Sequence, residues 1–561
     1  MDDGGPARPF PWERAYPPGL DWGAPIRTTI LGALLEESAA AHADRTALRY
    51  RDADIGYGAL LVMARRVAGA LLALPESGGG VALLLGNTAF HPAVVFGAAM
   101  AGRRVVMLSP IDAPRTIAHK LKDSGARVLV TLAHEGLLKL AGALAGMGLV
   151  DRLVVGDDAH WGGGPPSAPV PEGALRVEDW LAAPEPAALP AVAPGDVALL
   201  QYTGGTTGLP KGAMLTHANL TAAAGQYSLW NGGRGPEGER RVRRMIGVLP
   251  LFHIYAFTLD LLLTLRDGHE LLVRPRFDAD QALHDIEVLK ATDMCGVPTM
   301  WIALANHPEI DSRDLSSLRS ASSGGASLPP EVAARFERLT GMRLGAGWGM
   351  TETAPAGTSM PGRADLQARP GSIGVPLPGI EMRIVALDDP RRALPPGETG
   401  EITIRGPNVF KGYWNRPEET AAAFVEGWFL TGDVGRMDAD GYFFLTDRRK
   451  DMILSGGFNV YPSVIEAAVY EHPDVAECVV VGVPDAYRGQ SAKAFVALRP
   501  GAAGSLTLEA LQAFLADRVG RHEMPVALEV REALPRTPVG KLTKLPLIEE
   551  ERARAAPPPG T

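Results

Sequence analysis

Cysteine is nearly missing: Cys295 and Cys478 are the only two in 561 residues, and they stand far apart. That excludes a disulfide framework and suits a reducing compartment. An excess of basic residues is missing too. Lys and Arg number 55 against 64 Asp and Glu, a net charge of −9, so no general attraction to nucleic acid or to an anionic membrane is built in. No apolar run is long enough to span a bilayer. The most apolar stretch, 81–110, is broken by Asn87, Thr88, His91, Pro92, Arg103 and Arg104. The opening Met1-Asp2-Asp3-Gly4-Gly5 is acidic and has no apolar core of a secretory signal. Disorder is excluded by 46% hydrophobic and 21% charged residues, and the length predicts two or more domains. The expectation is a cytoplasmic globular protein that does not bind nucleic acid. Peripheral contact with the inner face of the membrane and a homodimer are both compatible with it.

Glycine and threonine, by contrast, crowd into one place. Thr203-Gly204-Gly205-Thr206-Thr207-Gly208-Leu209-Pro210-Lys211-Gly212 holds four glycines and three threonines. The apolar run Val197-Ala198-Leu199-Leu200 before it reads as a buried strand, so these residues occupy a loop leaving a sheet. Glycine lets successive N–H groups converge with no Cβ in the way, and threonine hydroxyls add donors; together they describe a concave anion site. Lys211 adds a mobile positive charge. A Walker A loop requires Gly-Lys followed by Ser or Thr at the start of a helix, whereas Lys211 stands between Pro210 and Gly212. A plain surface loop does not account for this hydroxyl density with a lysine behind an apolar strand.

Around this stretch the hydrophobic period alternates. Helices are predicted over 30–41, 57–74 and 90–101, and strands over 46–50, 81–85 and 104–108, the pattern of a layered α/β domain with a largely parallel sheet. Further strands are predicted from 248 up to a loop at His253, and at 271–274, 294–297 and 318–323. Residues 1–28, rich in Pro and Gly and carrying Phe10, Trp12, Tyr16 and Trp22, read as an arm laid across the surface, with membrane contact the less favoured use. The run Arg240, Arg241, Arg243, Arg244 reads as a solvated face, with an anion site less favoured. Residues 399–405 read as a strand of alternating polarity at the edge of the large domain. After 447 the alternation continues on a smaller scale: a helix over 460–471, strands over 477–482 and 493–498, and an amphipathic helix over 508–519, a compact α+β unit. The boundaries are thus 1–447 for a large domain and 448–561 for a small one, with 550–561 a disordered tail.

Several later residues carry chemistry by type. In Gly345-Ala346-Gly347-Trp348-Gly349-Met350-Thr351-Glu352-Thr353 the small residues leave space, Trp348 offers a face for stacking and Glu352 a hard oxygen ligand for Mg²⁺. Asp433 has two adjacent acceptor oxygens suited to ribose hydroxyls. In Pro535-Arg536-Thr537-Pro538-Val539-Gly540-Lys541 a glycine-preceded lysine on a proline-punctuated loop can reach away from its own domain; Lys544 nearby is its natural control. Gly296, Val297, Gly345 and Ala346 leave room for an apolar, fairly deep pocket.

The loop 201–215, the Trp348–Glu352 segment, Asp433, the Asp447–Lys450 turn and the Lys541 loop resemble, in order, the signatures of the acyl-adenylate-forming superfamily: acyl-CoA synthetases, peptide-synthetase adenylation domains and firefly luciferase. The resemblance covers about 30–545. It implies a large N-terminal α/β domain of several layered subdomains and a small mobile C-terminal α+β domain. It implies that Thr203, Gly204, Gly205, Thr206, Thr207, Gly208 and Lys211 hold the phosphates of ATP, with Mg²⁺ on Glu352 and Thr203. Gly324, Gly325, Ala326, Gly347, Trp348, Gly349, Met350, Thr351, Asp433 and Arg448 would take adenine and ribose. His253 would border the acyl pocket, Lys541 would serve adenylation, Lys450 would be the hinge, and Gly456 and Gly457 would line the coenzyme A tunnel. Trp12-Glu13-Arg14-Ala15-Tyr16-Pro17 is similar to the opening of bacterial long-chain acyl-CoA ligases. No Asp follows His253 to grip an ammonium, which disfavours an amino-acid substrate. The implied reaction joins a fatty acid to CoA through an acyl adenylate. An acyl-AMP ligase loading a carrier protein, an aryl- or dicarboxylate-CoA ligase and a luciferase-like oxygenase share the signatures. A degenerate binding module is disfavoured because Glu352 and Lys541 are both present.

Overall fold

The computed structural model describes residues 8–74, 80–163, 167–203, 210–232, 242–324, 330–362, 369–455, 458–485, 487–502, 506–537 and 542–555. The chain forms two compact units. The first takes the described residues of Met1–Gly205, Leu209–Glu381 and Ile404–Phe429; the second takes those of Met382–Thr403 and Leu430–Thr561.

Two sheets build the first unit. One runs, in spatial order, Leu175–Arg176, Arg152–Gly156, Val128–Leu132, Gly80–Leu83, Arg104–Met107, Val197–Thr203 and Lys211–Thr216. All neighbours are parallel except the last pair. Near-continuous apolar runs such as Ala198-Leu199-Leu200 suit strands buried on both faces. The second sheet has a parallel core of Thr46–Tyr50, Glu270–Val273, Arg244–Gly247, Asp293–Gly296, Ser320–Ser323 and Gly345–Trp348. Thr358–Ser359 and Ser372–Pro376 extend it antiparallel. Helices Leu31–His42, Tyr57–Ala73 and Phe90–Met100 fall where the periodicity predicts them, and every residue of the last is buried.

Strands Glu381–Val385, Gly400–Arg405, Trp428–Met437 and Phe443–Arg448, most of whose residues belong to the second unit, lie side by side in that order. A further sheet runs Phe458–Val460, Ile453–Ser455, Gly489–Leu498, Val475–Asp485, with Ala527–Arg531 parallel to Gly489–Leu498. Helices Pro462–Tyr470 and Leu508–Leu515 pack onto it through Ile465, Val469, Leu511 and Leu515. The result is the α+β unit expected.

Five expectations are corrected. The arm is anchored rather than superficial: Phe10, Trp12 and Tyr16 are buried, Tyr16 OH donates to Pro376 O at 2.5 Å, and Trp22 Nε1 donates to Ile380 O at 2.9 Å. Its aromatic area is therefore spent inside the first unit and not on a membrane. The strand predicted from 248 ends at Gly247, and Val248–His253 is the loop that follows. Arg243 and Arg244 are not a solvated face but pair with the buried carboxylates Asp293 and Glu270, at 3.2 and 2.8 Å. The strand Gly400–Arg405, expected at the edge of the large domain, has a neighbouring strand on each side. The helix Leu545–Ala555 carries residues read as tail, since Glu550 and Glu551 pair with Arg531 and Lys493. Among the described residues no helix is long and apolar enough to cross a membrane.

Candidate active site

The glycine–threonine loop joins two antiparallel strands, with Thr203 directly opposite Lys211. A Walker A loop delivers its phosphate to a helix N-terminus; here the chain returns as a strand, and the next helix, His217–Trp230, starts only after Thr216. Gly204, Gly205, Thr206, Thr207 and Gly208 lie outside the described residues, as do Gly325, Ala326, Gly456, Gly457 and Lys541.

Lys211 is half exposed, forms an ion pair with Glu419 and stands 5.2 Å from the centroid of the Tyr413 ring. Tyr413 OH donates to Glu352 Oε1 at 2.9 Å. One tyrosine thus brings the predicted phosphate lysine and the predicted metal carboxylate together, although neither motif contains it. Glu352 is only 5% exposed and sits in the short turn Thr351–Thr353. That turn is pinned on both sides. Asn408, fully buried, donates through Nδ2 to Thr353 O and Ala356 O, both at 2.7 Å, and Thr258 Oγ1 donates to Ala354 O at 2.9 Å. Ala354 is held at φ 57°, a left-handed value that costs a residue with a Cβ about 1 kcal/mol or more. Gly349 admits no side chain: a Cβ there would fall 1.5 Å from Pro355 O.

Trp348 corrects the sequence reading. It is 8% exposed and lies against Gly357, where a Cβ would come within 2.5 Å of its Cε3, so its face is packed and not open for stacking. The neighbours Ala346 and Gly347 are the exposed residues of that strand. Gly296 ends one strand, Gly324 follows the end of the next and Ala346 lies within the third, all three strands being adjacent and parallel, with Gly324 N donating to Gly296 O at 3.0 Å and Ser323 paired with Ala346. The carboxyl ends of parallel strands are where open α/β sheets bind ligands. His253 joins this edge: its Nδ1 accepts from Tyr255 N at 3.3 Å, and the Tyr255 ring lies 2.9 Å from where a Gly324 Cβ would be. Beneath the edge the packing is more polar than the predicted apolar pocket. Tyr255 OH and Ser322 Oγ are 2.9 Å apart, Ser322 Oγ contacts Cys295 Sγ at 3.4 Å, and burial pushes the fully buried Asp260 well above the carboxylate range.

In the second unit Asp433 and Arg448 face each other across adjacent strands, with Arg448 Nε 3.3 Å from Asp433 Oδ1. Thr431 Oγ1 accepts from Asp433 N at 3.1 Å and donates to Ile402 O at 2.6 Å, which fixes the aspartate backbone. Glu401 ties down the turn behind it, accepting from Gly432 N at 2.9 Å and pairing with Arg449 at 2.7 Å. Lys450 is exposed. Lys544 is committed elsewhere: its Nζ is 3.2 Å from Glu466 Oε1, and burial pushes that carboxyl up.

Among the described residues no group of three or more His, Cys, Asp or Glu is placed to hold a metal ion. Mg²⁺ with a nucleotide asks for less, because it keeps its waters and takes one or two protein oxygens beside phosphate oxygens. The buried carboxylate Glu352 would supply one such oxygen.

A glycine- and threonine-rich stretch that joins two antiparallel strands of a layered α/β fold, with no helix directly after it, sets the chain apart from the P-loop class. The chain belongs to the AMP-binding enzyme family: that family's model matches residues 35–414, and the model of the AMP-binding enzyme C-terminal domain matches residues 464–541. It is 35% identical to a long-chain-fatty-acid–CoA ligase of Bacillus subtilis, over 96% of this chain and 98% of that one. It is 38% identical to a feruloyl-CoA synthase of an Amycolatopsis species, over 89% and 94%. Among solved structures it is similar to ATP-bound MatB from Rhodopseudomonas palustris, with a TM-score of 0.82, 28% identity and coverage of 94% and 100%.

Proposed function

We propose that the protein is an AMP-forming acyl-CoA synthetase that activates a fatty acid. A carboxylate oxygen of the acid attacks the α-phosphorus of MgATP, the bond from that phosphorus to the bridging oxygen breaks, and pyrophosphate leaves. The thiol of coenzyme A then attacks the acyl carbon, loses its proton, and AMP departs with the former carboxylate oxygen. No nucleophilic side chain is required, so the protein's part is positioning and charge. Mg²⁺, arriving with the nucleotide, supplies charge to the phosphates. Glu352 and Thr203 hold it, Lys211 and the loop 203–208 hold phosphate oxygens, and Asp433 and Arg448 take the ribose. Gly324, Gly325, Ala326, Gly347, Gly349, Met350 and Thr351 supply backbone for the adenosine, and Trp348 backs them from its packed position. Lys541 meets the charge that grows at the α-phosphoryl group. His253, Gly296, Val297, Gly345 and Ala346 border the acyl chain. Lys450 is the hinge that exchanges Lys541 for the Gly456–Gly457 loop between the two half-reactions. The reaction belongs in the cytoplasm, where ATP and coenzyme A are available and two unpaired cysteines persist.

The observation that carries this reading is the Glu352–Tyr413–Lys211 arrangement: a buried carboxylate and a lysine held by one residue. Likeness to a CoA ligase at 35% identity over nearly the whole chain supports the thiol acceptor. The feruloyl-CoA synthase likeness, with the polar layer under the strand ends, keeps aryl acids as the second reading. The test is a panel of saturated fatty, aryl and dicarboxylic acids assayed for pyrophosphate release, then repeated with coenzyme A. Fastest release on a fatty acid with a thioester product is the expected result. Release without thioester would assign the acyl group to a carrier protein, and no release with any acid would refute adenylation.

A further inference from the structure

The segment 408–414 reaches both charged groups of the first unit. Lys411 N donates to Met214 O and Met214 N to Gly412 O, both at 2.9 Å, and Trp414 N donates to Gly212 O at 2.8 Å. The segment therefore lies along the outer edge of strand Lys211–Thr216 and covers it. Gly412 makes this course at φ 133°, and a Cβ there would fall 2.5 Å from Thr420 Cγ2, so only glycine turns the chain at this point. The next residue is held in several ways. Tyr413 N donates to Thr420 Oγ1 at 2.9 Å, and the ring packs edge-on against Phe410, 4.8 Å between centroids. Phe410 is wedged in turn against Phe424 and Phe429, and its N donates to Glu352 O at 2.8 Å. A ring confined like this has little freedom to follow its neighbours, so its neighbours follow it.

We propose that Tyr413 is a positioning residue for adenylation, fixing the Glu352 carboxylate through its hydroxyl and the Lys211 ammonium through its ring face. A carboxylate held by one oxygen cannot swing as a metal ligand. An ammonium against a ring is restrained without being neutralised. Glu419, exposed to about the same extent as Lys211, is the partner that incoming phosphate displaces. The proposal rests on the reading of Glu352 as the Mg²⁺ ligand and Lys211 as a phosphate contact.

Both layers are tested by ATP binding in calorimetry across a Mg²⁺ series, with melting curves in parallel. Glu352→Gln must raise the Mg²⁺ midpoint and Lys211→Met must weaken ATP binding at saturating Mg²⁺; if neither does, the underlying reading falls whatever Tyr413 does. With those established, Tyr413→Phe raises the Mg²⁺ midpoint about 10-fold and leaves ATP affinity at saturating Mg²⁺ within about 2-fold, because the ring remains. Tyr413→Leu adds an about 3-fold loss of that affinity. A Tyr413→Phe protein with the wild-type Mg²⁺ midpoint overturns the proposal, whether or not its melting temperature falls. Equal effects of Phe and Leu on ATP affinity at saturating Mg²⁺ overturn the role given to the ring. Should the Leu variant not fold, the Phe variant alone decides the hydroxyl's role, and Tyr413→Met, which removes the ring, decides the other.

Discussion

Two carboxylates assigned to nucleotide handling are set in place by opposite means. Asp433 and Arg448 are cross-strand neighbours on Trp428–Met437 and Phe443–Arg448, strands that follow one another in the chain. Glu352 depends on residues brought from afar: Tyr413 is 61 positions away, Asn408 holds the turn from 55 and 52, and Thr258 from 96. The hairpin pairs Asp433 with Arg448 directly, and its outside supports, Ile402 and Glu401, come from 29 and 31 positions away. A long-range assembly puts stability and chemistry on the same bonds, so damage to one reaches the other.

Three measurements bear on that contrast. The largest effect is expected from Asn408→Ala, which leaves the buried carbonyls of Thr353 and Ala356 without their donor. The cost is about 3 kcal/mol in denaturant unfolding, and the Mg²⁺ midpoint moves with it because the Glu352 turn is freed. Loss of stability with normal Mg²⁺ dependence would separate what the structure joins. Next comes acid sensitivity in the first unit. Burial pushes the His217 imidazole down to about 4, and its Nδ1 accepts from Leu31 N at 3.2 Å, which requires the neutral ring. The unfolded chain takes up this proton near pH 6.5, before the folded one does, so stability is complete above that pH and declines as pH falls toward 4. The share at pH 5 is about 2 kcal/mol. Unfolding at pH 5 and pH 7.5 reads it, and His217→Gln should reduce the difference; an unchanged difference would assign acid sensitivity to other groups. The smallest change in stability belongs to the hairpin. Asp433→Asn should alter unfolding by less than about 1 kcal/mol, since its partner Arg448 is half exposed. ATP should nonetheless bind about 10-fold more weakly where one acceptor to ribose is lost. If Asp433→Asn and Asn408→Ala were equally destabilising, the contrast between the two regions would be void.

Legibility in the sequence follows the same division. Strand Thr46–Tyr50 and helix Phe90–Met100 were readable because their patterns are local. The strand partners of Gly400–Arg405 were not, because alternation of polarity does not say whether an edge is covered. Arg243 and Arg244 read as solvated charges since nothing nearby in the chain shows Asp293 and Glu270 beside them. Trp348 read as an open face because its occupant, Gly357, has no side chain to betray a contact. Tyr413 was missed altogether. The run Phe410-Lys411-Gly412-Tyr413-Trp414 has no period, and its one signal is three aromatic residues around a glycine.

By itself the sequence determined the inventory: a glycine–threonine loop behind an apolar strand, a lysine after it, two carboxylates in small-residue settings, and two units of alternating helix and strand. These are properties of residue type and spacing within a few positions. Tertiary structure alone decided which charges share a neighbour, which aromatic faces are taken and which carboxylate is held still. Those outcomes turn on contacts between residues tens to hundreds of positions apart, and an amino-acid pattern carries no distance of that kind.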